Sequence, residues 1–205
     1  MAGCNGGSTT KPKEIAPTEA EKAKAQLLRR IDSRFTDPEA HYELGKIYQS
    51  EGLLIQADKE FNTALSFDPV HRKAQAARVK VLGDLRETTQ AQQSAKFFMN
   101  QTSTSATASL ELGMAFQQER LDDYALACYN QALNLAPTSA RVHKQLGLYY
   151  LSKNDTDRGK DYLVRSFQIN PNQPDVAKIL GGFGIEVKSG TKTGTQNPDK
   201  TPAPK

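Results

Sequence analysis

The chain has no tryptophan, two cysteines, three methionines and three histidines in 205 residues, and aromatic residues make up only 7%. It has no run of about 18 apolar residues, so no segment reads as a membrane-spanning helix. Cys4 and Cys128 are too far apart in sequence to form a disulfide framework. Cys128, beside Tyr129, reads as a small buried apolar residue. His41 and His143 lack the neighbours that a metal site requires and read as packing residues, and His71 reads as a solvated turn residue. Gly6-Gly7 and Gly181-Gly182 lack the strand and helix that flank a phosphate loop. There is no nucleophile elbow, no His-Glu-x-x-His and no calcium loop. Asp122-Asp123 and Asp155 to Asp161 fall in turns or at helix starts, where the helix dipole favours acids. No base, nucleophile and orienting group coincide, so the expectation is a non-enzyme with no catalytic residue, no metal and no cofactor.

Net charge is also missing from the middle of the chain. Lys11, Lys13 and Glu14 give +1, and Lys188, Lys192, Lys200 and Lys205 against Asp199 give +3, which together make up the formal net charge of +4. The stretch 17–187 is therefore close to neutral, and a pI near 9 does not argue for nucleic acid as a partner. The flanks are rich in Gly, Ser, Thr, Lys and Pro, too polar to offset the entropy of ordering. They read as a flexible tether over 1–16 and a disordered tail over 188–205.

A regular period is present instead. Leu44-Gly45 recurs as Leu112-Gly113 and Leu146-Gly147, steps of two and then one unit of 34 residues. Counting from Pro38 puts Leu44, Gly45, Tyr48, Ala57, Phe61, Ala64 and Pro69 at places seven, eight, eleven, twenty, twenty-four, twenty-seven and thirty-two. Counting from Ala106 gives Leu112, Gly113, Phe116, Ala125, Tyr129, Ala132 and Pro137 at the same places. Counting from Ala140 gives Leu146, Gly147, Tyr150, Gly159, Leu163, Ser166 and Pro171. Residues 72–105 keep the phase but not the pattern: Arg78-Val79 replaces Leu-Gly, Ser103 replaces proline, and Ala95 and Phe98 exchange large and small.

This pattern resembles the tetratricopeptide repeat (TPR), a helix–turn–helix unit that stacks into a solenoid. The resemblance implies an all-α fold, a right-handed solenoid of about nine or ten antiparallel helices. It contains three clear repeats, a degenerate one from Arg72, and terminal capping helices. Glycine at the eighth place lets paired helices approach closely, and small residues at the twentieth and twenty-seventh let the second helix nest. Aromatic residues fill the space between helices, and proline ends the second helix. The helical domain is expected over 17–187. A half repeat fills 17–37, with Thr18 and Glu21 as a helix-start signal and Ala23 and Leu27 in second-helix register. Repeats start at 38, 72, 106 and 140, and a cap spans 174–187.

Met1-Ala2-Gly3-Cys4 resembles the end of a bacterial lipobox, followed by a polar tether. That resemblance implies lipidation at Cys4, membrane contact only through this anchor, and the periplasmic face of the outer membrane as location. Asn5 after the cysteine fits outer-membrane sorting by the same resemblance.

In TPR proteins the first helices line a concave binding groove. Carried over by place, that groove would use Tyr42, Lys46, Gln49, Lys73, Lys80, Leu110, Met114, Gln117, Lys144, Leu148 and Leu151. Its first half mixes charges, and its second half is apolar through Leu110, Met114, Leu148 and Leu151. Soluble proteins rarely leave such a cluster bare, so the expected partner is a peptide or helix of another protein. Tyr42 and Lys46 depart from the carboxylate clamp of chaperone-binding relatives. The nearer resemblance is to bacterial envelope TPR lipoproteins, including pilotins, which implies a scaffold for assembly or secretion. A soluble cytoplasmic adaptor and an accessory subunit of a cell-wall enzyme are the alternatives.

Overall fold

The computed structural model describes residues 18–187, which hold ten helices and no strand. These are α1 (Glu19–Ser33), α2 (Pro38–Ser50), α3 (Leu54–Phe67), α4 (Arg72–Asp84), α5 (Thr88–Gln101), α6 (Ala106–Gln118), α7 (Asp122–Leu135), α8 (Ala140–Ser152), α9 (Thr156–Ile169) and α10 (Pro174–Gly182). None of them is long and apolar enough to cross a membrane. Their boundaries follow the 34-residue register. Each first helix (α2, α4, α6, α8) has 13 residues, and each second helix (α3, α5, α7, α9) has 14.

The turn between paired helices repeats as strictly. Gly52, Arg86, Arg120 and Asn154, all at the fifteenth place, have φ of 76°, 66°, 60° and 61°. The next amide returns five residues: Leu53 to the Tyr48 carbonyl, Glu87 to Leu82 and Leu121 to Phe116 at 2.9 Å, and Asp155 to Tyr150 at 3.0 Å. These bonds satisfy carbonyls that the ending helix would otherwise leave open, in a Schellman-type stop. The degenerate repeat keeps this stop through Arg86, so its departure lies in side chains and not in backbone design.

Helix starts are written in short polar side chains. Thr18 accepts from the Glu21 amide at 3.2 Å, and the Thr18 amide donates to Glu21 at 2.7 Å, a closed capping box. Ser105 and Ser139 cap α6 and α8, and Asp155 caps α9. Asp37 caps α2 through the Ala40 amide at 3.1 Å and also accepts from Arg30 at 2.8 Å. Burial works against its charge, but the Ala40 amide and the Arg30 guanidinium outweigh that and hold its carboxyl below the usual range.

The chain divides at Ala74 and Gln75, inside α4, into two compact units. The break falls in the repeat that lost the Leu-Gly pair. In the first unit α2 packs on α3, with Ala57, Phe61 and Ala64 at 0% exposure. Ile31, Ala40 and Leu44 form a cluster flanked by Leu27 and Tyr48. In the second unit α6 packs on α7 and α8 on α9 around Leu112, Phe116, Tyr129, Leu146 and Leu163. Val176 and Leu180 of α10 close the end against Leu163 and Phe167. The helix pairs are close because glycine sits at the eighth place. A Cβ on Gly45 would lie 2.6 Å from the Phe61 ring, and one on Gly113 would lie 2.7 Å from the Tyr129 ring.

His71 is a correction to the solvated reading. Its Nδ1 accepts from the Ala74 amide at 3.1 Å, which leaves Nε2 as the donor to Glu39 at 2.9 Å. Its ring also lies 5.1 Å from that of Tyr42. A turn histidine is thus tied to the start of α4 and to α2. His41 and His143 are buried, with Nε2 donating to the Phe35 and Pro137 carbonyls at 2.8 Å. Cys128 is fully buried.

Candidate functional site

The eleven residues of the expected groove do not share one environment. In the first unit Tyr42 is half-buried, its ring 5.9 Å from Phe61, and Lys73 lies over that ring at 6.0 Å. Lys46 donates to Gln49 at 2.7 Å. On one side of α2, Tyr42, Glu43, Lys46 and Ile47 face Ala23, Gln26, Leu27 and Arg30 of α1 across a cleft of about 450 Å³. This cleft was not anticipated, although Ala23 and Leu27 already carried second-helix register.

In the second unit the four apolar candidates separate. Leu110 is only 1% exposed. It is a correction: the side chain belongs to the core and cannot meet a partner. Leu151 is half-buried, but it packs on the C-terminal core cluster and fills the space above Gly159. Met114 and Leu148 are half-buried and occupy the ninth place of successive clear repeats. Lys46 and Lys80 hold that place in the preceding repeats, so the ninth-place series runs from basic to apolar along the sequence.

The polar candidates already have partners within the molecule. Lys80 pairs with Asp84 one turn on. Lys144 pairs with Asp175, tying α8 to the start of α10, and this contact holds the Asp175 carboxyl below its usual range. Gln117 accepts from the Tyr129 hydroxyl at 2.6 Å and donates to Ser152 at 3.5 Å. Arg141 of α8 lies 3.9 Å from Glu111 of α6, so these two first helices run beside one another.

Tyr129 links the site to stability. Its ring sits against Gly113 and 5.6 Å from Tyr149, with no exposure. Burial pushes its phenol up to about 12, while a hydrogen bond with Gln145 pulls the other way. The folded protein therefore keeps a proton that the unfolded chain releases near pH ~10. Stability from this group is complete below pH ~10 and drains away as pH rises towards about 12, by roughly 2 kcal/mol. Urea midpoints measured from pH 9 upward should fall more steeply in the wild type than in Tyr129→Phe. The variant should itself lose about 1 kcal/mol at neutral pH with the Gln117 bond. Parallel pH curves would count against this account.

The tetratricopeptide repeat family model matches residues 38–71 and 140–173. Among curated proteins the chain is similar to the type IV pilus assembly protein PilF of Pseudomonas aeruginosa, at 28% identity over 141 residues. That alignment takes in 68% of this chain and 56% of the relative, so the chain spans little more than half the relative's length. A solved structure of Pseudomonas aeruginosa PilF is 26% identical, covering 72% of this chain and 69% of that one with a TM-score of 0.39. YrrB, described as a TPR protein with an unusual peptide-binding site, is 19% identical, with coverages of 80% and 84% and a TM-score of 0.43.

Proposed function

We propose that this chain, which carries tetratricopeptide repeats, is a non-catalytic adaptor for assembly of a bacterial envelope structure of the type IV pilus class. It holds a peptide segment of another protein on its first helices. The observation that carries the reading is the pair Met114 and Leu148. They sit at one register place on neighbouring first helices and stay half-buried, while Leu110 and Leu151 of the same helices are used up in packing. Stacked repeats of this kind present extended binding surfaces. Similarity to a pilus assembly protein supplies the class of process. In this reading Cys4, which lies outside the described residues, is the lipid attachment site, and residues 5–16 are the tether.

The test is genetic and biochemical. Deleting the gene in the source bacterium should abolish surface pili, and the wild-type gene should restore them. Cys4→Ser should leave the protein folded but release it from the membrane fraction, with no label from a fatty-acid analogue. Normal piliation in the deletion strain would defeat the assembly role. A soluble, unlabelled wild type would defeat the anchor alone.

A further inference from the structure

The cleft between α1 and α2 has a template inside the same molecule. In α3 the twentieth, twenty-fourth and twenty-seventh places are Ala57, Phe61 and Ala64, all at 0% exposure. In α7 they are Ala125, Tyr129 and Ala132, again at 0%. Each set is buried beneath the first helix of its own repeat, where the eighth-place glycine meets the twenty-fourth-place side chain. In α1 the same places are Ala23, Leu27 and Arg30. Ala23 and Arg30 are exposed and Leu27 is half-buried, and all three line the cleft. The opposite wall is the side of α2 that would meet a preceding first helix. On α8 the corresponding side meets α6 through Arg141 with Glu111 and Ser152 with Gln117.

We propose that this cleft is an empty first-helix seat and that it receives an amphipathic helix of a partner protein. The proposal rests on the adaptor reading and adds a second docking point, separate from Met114 and Leu148, together with the local structure of the segment that fills it. The seat fixes the chemistry of its occupant. A helix of about four turns is needed, to match the 13-residue first helices. A small residue must lie over Leu27, because a side chain there would strike what Gly45 and Gly113 avoid striking in the filled seats. Leucine and an aromatic beside it would cover Ala23, Tyr42 and Ile47. The chain's own preceding residues do not have this sequence. In register, Thr10, Lys11 and Glu14 would stand at the leucine, glycine and aromatic places, and Gly6-Gly7 and Pro12 would interrupt the helix. Arg30, Glu43 and Lys46 mix charge signs at the cleft, so apolar contact dominates and salt matters little.

The probe is a fluorescein-labelled peptide with the sequence of residues 106–121, a first helix and turn of this chain. It is titrated with the full-length protein and followed by anisotropy. Saturable binding is expected, weakened about tenfold or more by Ala23→Glu and by Leu27→Asp, since each puts a charge under the docked helix. Leu27 borders the Ile31 cluster, so its variant risks the fold. Ala23 is exposed on α1, so Ala23→Glu tests the seat without that risk. Absence of saturable binding, or equal binding by the Ala23 and Leu27 variants, overturns the seat. A dimer in sedimentation that Ala23→Glu dissociates overturns the partner and installs a second copy as occupant. The adaptor reading survives either result if the Met114 and Leu148 changes still abolish capture of the cellular partner.

Discussion

Tyr129→Ala should be the most destabilising single substitution in the second unit, costing about 3–5 kcal/mol. The ring has no exposure, lies against Gly113, packs edge-on to Tyr149 and holds Gln117 through its hydroxyl. Truncation removes apolar area, leaves a cavity between α6 and α7, and strands the Gln117 carbonyl. For a chain of this size the loss corresponds to a fall in melting temperature of roughly 6–20 °C. The partner change is Gly113→Ala. It places a methyl group 2.7 Å from two ring carbons of Tyr129, so the cost of overpacking, about 1–3 kcal/mol, exceeds the gain in helix propensity of about 1 kcal/mol. Because both changes act on one contact, their sum should overshoot the double variant: the new methyl occupies part of the space the ring vacates. Urea unfolding of the two single variants and the double variant measures this coupling. Strict additivity would mean that the glycine is not there for the ring.

The parts of this architecture that were legible in sequence are those set by close approach. Gly45, Gly113 and Gly147 stand where a Cβ would strike Phe61, Tyr129 or Leu163, so the 34-residue period is printed in residue types that geometry forces. The start of α1 was legible for a similar reason, since a capping box needs particular side chains three residues apart. The turn was not legible. Its left-handed residue is Gly52 once, but Arg86 and Arg120 twice, because the Schellman bonds outweigh the modest strain of a positive φ. Hence the degenerate repeat keeps the helix stop although its side-chain pattern gives no sign of it. Leu110 misled because an apolar residue at an outward register place has two meanings, and only neighbours decide which holds. For Lys144 and Lys80 the sequence hid existing ion pairs. Their acidic partners lie on another helix or one turn away, and a face chosen by place alone does not show Asp175 or Asp84 beside them. The cleft beside α1 was hinted at by the register, since Ala23, Leu27 and Arg30 of α1 stand at nesting places and line it.

Met114→Asp combined with Leu148→Asp should cut capture of the cellular partner by at least about thirtyfold while the melting temperature stays within a few degrees of wild type. Both side chains are half-buried, so each can carry a carboxylate to water in the free protein at little cost. A docked segment would seal that carboxylate away from water without a basic partner: the nearby cation Lys144 is already paired with Asp175. The penalty therefore falls on the complex and not on the fold. The same logic predicts a small effect for Lys80→Glu. That change exchanges an existing pair with Asp84 for repulsion at a partly exposed site, and it should respond to salt. The measurement is quantitative recovery of crosslinked partner from source membranes with wild type, Lys80→Glu and the double variant at matched expression. Equal recovery by wild type and the double variant would remove the ninth-place residues of α6 and α8 from the binding surface. Recovery lost with Lys80→Glu but kept with the double variant would move the site to the basic half of the series, beside α4.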